Sequence, residues 1–160
     1  MSDYTDIQAA ILARLNTVSN IGKTYDHARY AADLPNFLTL FSASISGSTL
    51  IRGWWLELEK ILPAEPDRYG AVRRNYVFII HGIHGMQDTQ SDTEETFENM
   101  IETVMDALDV SKDYSLTNVI DYSVGPSQAR LIDYRTFGTA LCHHCEIELS
   151  VEVQKAVAYV

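Results

Sequence analysis

The residue types in this sequence best suited to chemistry form two histidine-containing runs. The first is Cys142-His143-His144-Cys145, whose four side chains are all common zinc ligands. The run lies within 140–153, where apolar and polar residues alternate and predict a β-strand. Successive side chains of a strand point to opposite faces, so Cys142 and His144 face away from His143 and Cys145. Because one tetrahedral ion cannot bind all four, we predict no zinc site in this run.

The second run, His81-Gly82-Ile83-His84, lies at the end of a predicted strand and is followed by Asp88. It leaves open a small metal-dependent enzyme that uses His81, His84 and His143. However, His81 and His84 have opposite parity on a strand, which disfavours a shared ion. The sequence also lacks the phosphate-binding G-x-x-x-x-G-K and the hydrolase G-x-S-x-G patterns. We therefore expect no bound metal, no cofactor and no catalytic residues.

The composition limits the class of protein. The 160 residues suit one domain, 1–160, which is large enough to bury a sizeable core. The formal net charge of −10 argues against wrapping nucleic acid, because phosphate contacts need lysine and arginine. Such acidity indicates solubility, or a surface that must lie near DNA without sticking to it. We expect a reducing cytosol, because the two cysteines form no secreted disulfide framework, and neither a membrane span nor a signal peptide.

The elements that must position these residues are organised around 72–108. Residues 72–81 are rich in β-branched and aromatic types and are apolar at both parities, which predicts a central strand covered on both faces. A helix over 94–108 follows, with a capping-box pattern at 91–94 and an apolar stripe at helical spacing. The stripe consists of Phe97, Met100, Ile101, Val104, Met105 and Leu108. Such a helix needs a sheet against which to pack.

The remaining periodic segments supply the rest of a sheet. Residues 50–61 alternate and predict a half-buried strand that forms an antiparallel hairpin with 72–84. Other predicted elements are a helix over 7–18, a short helix beginning at 33–35, a polar loop over 42–49, and strands over 118–122, 130–137 and 140–153. This order predicts an α+β domain, a mainly antiparallel β-sheet with two main α-helices packed on it.

The two faces of the predicted strand 140–153 differ in polarity. One face carries Leu141 and Cys145 and continues as an apolar stripe. The other carries Cys142, His144 and Glu146 and continues with acidic residues, so we expect this second face to be acidic and exposed to water.

Adjacent tryptophans mark a surface of strand 50–61. Trp54 shares a face with core-type residues, so Trp55 points to the other face, beside Glu57. Trp55 is therefore an interface anchor, or it is covered by another helix of the same chain. The loop 62–70 is long for a hairpin connection, and long ordered loops are usually functional. The predicted subunit-interface residues are Trp55, Glu57, Pro63, Pro66, Arg68 and Tyr69.

A resemblance to a known family comes from the order of the elements. The helix over 7–18 is followed by Tyr25-Asp26-His27-Ala28-Arg29-Tyr30-Ala31-Ala32-Asp33, the Gly53-Trp54 strand, the Arg73-Arg74-Asn75-Tyr76 strand with its helix, and the closing Phe137-Gly138-x-x-Leu141-Cys142-His143-His144 strand. Across nearly the whole chain this order resembles the small tail-terminator and tail-completion proteins of long-tailed bacteriophages and prophages. The family has no catalytic signature.

The resemblance implies a structural virion protein with a tail-terminator-like fold, and not an enzyme. Tail terminators form hexameric rings that cap the tail tube, stop its growth and provide the surface that joins the head. The implied partners are further copies of the chain, the tail tube protein and a head-completion or connector protein, while DNA passes through the lumen without specific binding. The implied location is the virion tail, after assembly in the host bacterial cytoplasm. Another head–tail neck or connector protein is the alternative, since ring assembly is shared and only the docking partners separate the two.

Overall fold

The computed structural model describes residues 3–63, 71–87, 92–117, 119 and 121–156. The helices are α1 Asp3–Leu15, α2 Leu34–Phe41 and α3 Thr93–Asp109, and the strands are β1 Lys23–Tyr25, β2 Ser42–Ile45, β3 Ser48–Pro63, β4 Ala71–Gly85, β5 Asp121–Val124, β6 Gln128–Phe137 and β7 Ala140–Ala156. Over these residues the chain is an α+β structure with three helices and a mostly antiparallel seven-stranded sheet. The predicted coarse fold class is confirmed.

Strand β4 is the centre of the sheet. It pairs antiparallel with β3 on one side and with β7 on the other, so the predicted hairpin and the predicted central strand are both confirmed. The far edge of β7 is shared by β5 and β6, both antiparallel to it. The far edge of β3 is shared by β2, which is antiparallel, and by β1, which gives the parallel pairing in the described sheet.

The face of the sheet that packs against α1 and α3, which we call the inner face, contains the main core. Side chains of Ile7 and Ile11 from α1 meet Ile101 from α3 over Trp54 and Phe78, and all five are buried. Removing such a side chain from water stabilises the fold by about 2 kcal/mol. The predicted stripe of α3 is confirmed, because its members are either buried in this core or packed against it.

The opposite, outer face is covered at one end by α2. A second apolar cluster there contains Phe37 and Phe41 from α2 together with Ile83 and Cys142 from the sheet. The prediction that the outer face of β7 is exposed to water is therefore wrong at Cys142 and His144, which are both 0% exposed. Alternation assigns a residue to a face, but it does not tell which distant segment covers that face. Conversely, Leu141, predicted on the apolar stripe, is 46% exposed.

The segment 42–49, predicted as a loop, instead forms strand β2 and the start of β3. Ile45 pairs with Ser48, so only two residues connect the strands. These are Ser46 and Gly47, with φ of 51° and 82°. Two consecutive positive φ values give the tight turn whose twist suits a hairpin. A serine in this conformation is uncommon, so Ser46 did not indicate a hairpin, and the polar composition of 42–49 predicted a loop instead.

The sequence predicted helix starts at 33–35 and, from a capping-box pattern, at 91–94. The start at 33–35 is confirmed, and the structure adds that the Asp33 carboxylate accepts a hydrogen bond from the Asn36 backbone amide at 2.9 Å. Helix α3 begins at Thr93 after Asp92, which makes no side-chain cap bond, and Ser91 lies outside the described residues. In the described part of the chain, no helix has both the length and the apolar character needed to cross a membrane.

Candidate functional site

The histidines of the two sequence runs form two pairs on opposite faces of the sheet. His84 and His143 are direct register partners across β4 and β7, and they lie on the inner face, where we call them the inner pair. His81 and His144 lie on the outer face and form the outer pair. The opposite parity predicted within each run is confirmed. His81, His84 and His143 are therefore not brought to one site.

The inner pair has mainly apolar surroundings, with Arg52 beside His84 and with Glu94 and Glu98 near His143. His84 is 3% exposed, and its Nδ1 accepts a hydrogen bond from Arg52 Nε at 3.4 Å. Burial, together with the charge of Arg52, lowers the pKa of His84 to about 4. His143 contacts Phe97, and its Nε2 lies 3.1 Å from the Thr93 hydroxyl. A neutral imidazole beside a guanidinium is poorly placed to receive a metal cation.

The outer pair belongs to a compact cluster of nitrogen and oxygen ligands. His81 Nδ1 lies 3.3 Å from His144 Nε2 and 3.9 Å from Glu146 Oε1. One ligand atom from each of these three residues lies within 4.8 Å of the others. The pairing of β4 with β7 produces this arrangement, because His81 is opposite Glu146 in the register and His144 is two residues along the same face.

A carboxylate accepts a hydrogen bond from the outward nitrogen of each of the two outer histidines. Asp133 on β6 accepts from His144 Nδ1 at 2.7 Å. Glu57 on β3 accepts from His81 Nε2 at 3.2 Å. A carboxylate can only accept, so these contacts place a proton on the outward nitrogen of each ring. The inward nitrogens of the neutral imidazoles therefore carry lone pairs, which are directed at each other and towards Glu146.

Two arginines contact the same carboxylate of Glu146. Arg135 Nη2 lies 3.3 Å from Glu146 Oε1, and Arg130 Nε lies 3.1 Å from Glu146 Oε2. Arg130 also donates to Glu59 at 2.7 Å, which links β6 to β3 across the outer face. Arg135 has a further acceptor, Asp133 Oδ2 at 3.3 Å. Both carboxylate oxygens of Glu146 are therefore paired with arginines.

Burial is the largest influence on the pKa of both outer histidines. It lowers the pKa of His81, although Glu146 and Glu57 act in the opposite direction. It likewise lowers the pKa of His144, although Asp133 raises it. Burial therefore favours the neutral form of both rings, which is the form that binds a metal.

Trp55, the predicted interface anchor, lies against this cluster. Its ring stacks on His81 with centroids 5.0 Å apart and planes 6° from parallel. It also contacts Phe41 of α2 at 5.8 Å. Of the two alternatives that the sequence left open, the structure places Trp55 under a helix of the same chain. It forms one wall of the cluster.

The other predicted interface residues are divided. Glu57 is exposed on the outer face, where it contacts His81, and Pro63 ends β3. Pro66, Arg68 and Tyr69 lie outside the described residues.

Sequence reasoning missed the outer cluster, although part of it was readable. His144 and Glu146 are two residues apart on a predicted strand, so they share a face. Nothing local, however, brings His81 or Asp133 beside them. Comparison of the chain with models of protein families and with curated proteins finds no match.

Proposed function

We propose that this chain is a ring-forming structural protein of a phage or prophage tail, a tail terminator that caps the tail tube and provides the surface for joining the head. The observation that carries the proposal is that the sheet has two long strand edges, on opposite sides, without a strand partner among the described residues. The order of elements supports the same family. The proposed ring is part of the virion tail.

The first edge belongs to the distal half of β3. Strand β2 pairs with residues 48–51 and β1 pairs with residues 53–55, both on the side of β3 away from β4. From 56 to 63 that side carries no strand pairing in the described structure. Near its end, Ile61 and Leu62 expose apolar side chains, as does Val72 on the neighbouring β4.

The second edge is β6, on the other side of the sheet. Strand β6 pairs with β7 along Gln128–Phe137, and no strand pairs with its other side in the described part of the chain. Ile132 and Tyr134 are exposed along it. Exposed strand edges with apolar side chains are templates for pairing with another chain.

Two different edges on opposite sides favour a ring over a two-fold dimer. If the β3 edge of one copy meets the β6 edge of the next, the contact is heterologous, and heterologous contacts close into rings when the rotation permits. Adding a strand to an open edge supplies main-chain hydrogen bonds for such a contact. The number six comes from the family resemblance. The net charge of −10 is compatible with a lumen through which DNA passes without binding.

Native mass spectrometry over a concentration series tests the proposal. We expect the 18.0 kDa chain to assemble into a closed ring, alone or on purified tail tubes. The double variant Ile61→Lys with Leu62→Lys places charge on the β3 edge and should weaken the ring at least tenfold. Val110→Lys is the matched control, because Val110 is also exposed but lies just after α3, and it should assemble normally.

Two outcomes contradict the terminator proposal. A chain that stays monomeric at high concentration and does not bind tail tubes has no ring function. A ring that binds a head-side connector but not the tail tube is a head-completion protein instead.

A further inference from the structure

We propose that His81, His144 and Glu146 bind one zinc ion or a similar divalent transition metal, through His81 Nδ1, His144 Nε2 and Glu146 Oε1. The site uses residues of a single chain and does not depend on ring assembly. It therefore goes beyond the proposed function. Two histidines and one carboxylate are a known protein ligand set for zinc, with solvent completing the coordination.

The distance between the two histidine nitrogens fits a tetrahedral ion, and the three ligand atoms all lie within 4.8 Å of one another. With zinc–nitrogen bonds of about 2.0–2.1 Å, two ligands of a tetrahedron are about 3.4 Å apart. His81 Nδ1 and His144 Nε2 are 3.3 Å apart. The distance from His81 Nδ1 to Glu146 Oε1 is 3.9 Å, so a small side-chain adjustment of Glu146 completes the set.

The carboxylates of Asp133 and Glu57 leave the inward ring nitrogens free to act as ligands. Asp133 and Glu57 each hold the proton of one histidine on the nitrogen that points away from the cluster. Carboxylates that orient metal-binding histidines in this way are the usual support of such sites. What remains inside the cluster is a pair of ring lone pairs and a carboxylate oxygen. Two ring lone pairs that face each other without a donor between them are stabilised by a cation, and the adjacent carboxylate supplies the negative charge.

The cluster is largely sheltered from solvent. The side chains of His81 and Glu146 are each 12% exposed, and that of His144 is 0% exposed. Asp133 and Glu57 hold the ring protons on the outward nitrogens, so no ring proton lies between the two inward lone pairs. A coordinated metal ion satisfies them while both rings stay neutral.

The arginines around Glu146 permit this binding, although one of them competes with it. Arg135 contacts Glu146 Oε1, the oxygen that the metal uses. When metal binding breaks this contact, Arg135 keeps its hydrogen bond to Asp133. Arg130 contacts the other oxygen, Oε2, and keeps the carboxylate oriented. The metal therefore replaces one of the hydrogen bonds that Glu146 accepts, not all of them.

Zinc titration of the full chain tests the proposal. The protein is stripped with a chelator and titrated with Zn²⁺ in competition with a chromophoric zinc indicator, and Co²⁺ is used to record the visible bands of a tetrahedral site. We expect one ion per chain, with micromolar or tighter affinity. Glu146→Gln should lower the affinity at least 100-fold, and Asp133→Asn should lower it about 10- to 100-fold.

The inner pair provides the matched control. His84→Gln with His143→Gln removes two histidines from the same two strands and should leave the zinc affinity unchanged, because these rings lie on the other face. Circular dichroism checks that each variant is folded. If Glu146→Gln does not fold, Asp133→Asn is the variant that tests the proposal. No binding at 100 µM Zn²⁺, or binding that survives in Glu146→Gln and Asp133→Asn, overturns the proposal. So does an equal loss in the inner-pair control.

Discussion

The inner and outer histidine pairs come from the same two strands, yet their surroundings suit opposite chemistry. On the inner face, Arg52 donates to His84 and the rings lie beside Phe97. On the outer face, Asp133 and Glu57 accept from the rings. A guanidinium that donates directly to an imidazole disfavours a metal there, whereas carboxylates that accept from the imidazoles favour one. The guanidiniums of the outer face, Arg130 and Arg135, contact Glu146. The comparison teaches that the partners across the sheet, and not the histidines themselves, decide whether a pair can bind a metal.

The difference follows from what each face packs against. The inner face meets two amphipathic helices, so its polar groups must be few and internally paired. Among the described residues, α2 covers the outer face at one end, and the rest of that face carries long charged side chains. The outer pair lies where these two regions meet, half sheltered by Trp55 and within reach of carboxylates. That position combines low solvent exposure with available negative charge.

The largest expected effect on stability comes from a substitution in the core on the inner face. Cys145→Asp places a carboxylate at a fully buried position in the main core, and we expect a loss of about 3 kcal/mol or more in the free energy of unfolding. Leu141→Asp, on the same strand but half exposed, is the control and should cost less than about 1 kcal/mol. Urea denaturation measures both. Similar losses would mean that the two positions are equally buried, contrary to the structure.

A smaller effect concerns the pH dependence of the inner pair. The pKa of His84 is about 4 in the folded chain, below about 6.5 in the unfolded chain. As the pH falls through 6.5, the unfolded chain gains a proton that the folded chain does not, so stability decreases towards pH 4. The groups that face His84 are Arg52 and His143.

His84→Gln removes this titration and keeps an acceptor for Arg52. Between pH 7 and pH 5 the variant should lose about 1 kcal/mol less stability than the wild type, after allowance for solvent screening. Thermal or urea unfolding at the two pH values measures the difference. The remaining histidines are common to both proteins and cancel. An identical pH dependence in the two proteins would contradict the assigned environment of His84.

The smallest effect sharpens the outer pair. Arg135→Gln removes the positive charge that lies beside Glu146 Oε1, the oxygen that the proposed metal uses. We expect the zinc affinity to rise about threefold to fivefold, because the ion no longer meets a like charge. Arg74→Gln is the control, since Arg74 is exposed on β4 far along the strand from His81, and it should leave the affinity unchanged. A fall in affinity for Arg135→Gln would mean that Arg135 supports the site.

The sequence alone determined the local elements and the faces of their residues. Two-residue alternation and helical spacing place Phe78 and Phe97 in the core and separate His143 from His144 correctly, because these periods are properties of a single segment. The tight turn at Ser46 and Gly47 was missed because a serine with positive φ has no clear sequence signal.

Only the tertiary structure decided which residues became neighbours across the sheet. His81 meets His144 over a separation of 63 residues, and Asp133 meets His144 through a different strand pairing. Trp55 could have been an exposed anchor, but α2 folds over the outer face and covers it. Strand register and helix placement result from the packing of distant segments into one core. Local periodicity assigns each side chain to a face, but the partners that give it a chemical role come from that long-range packing.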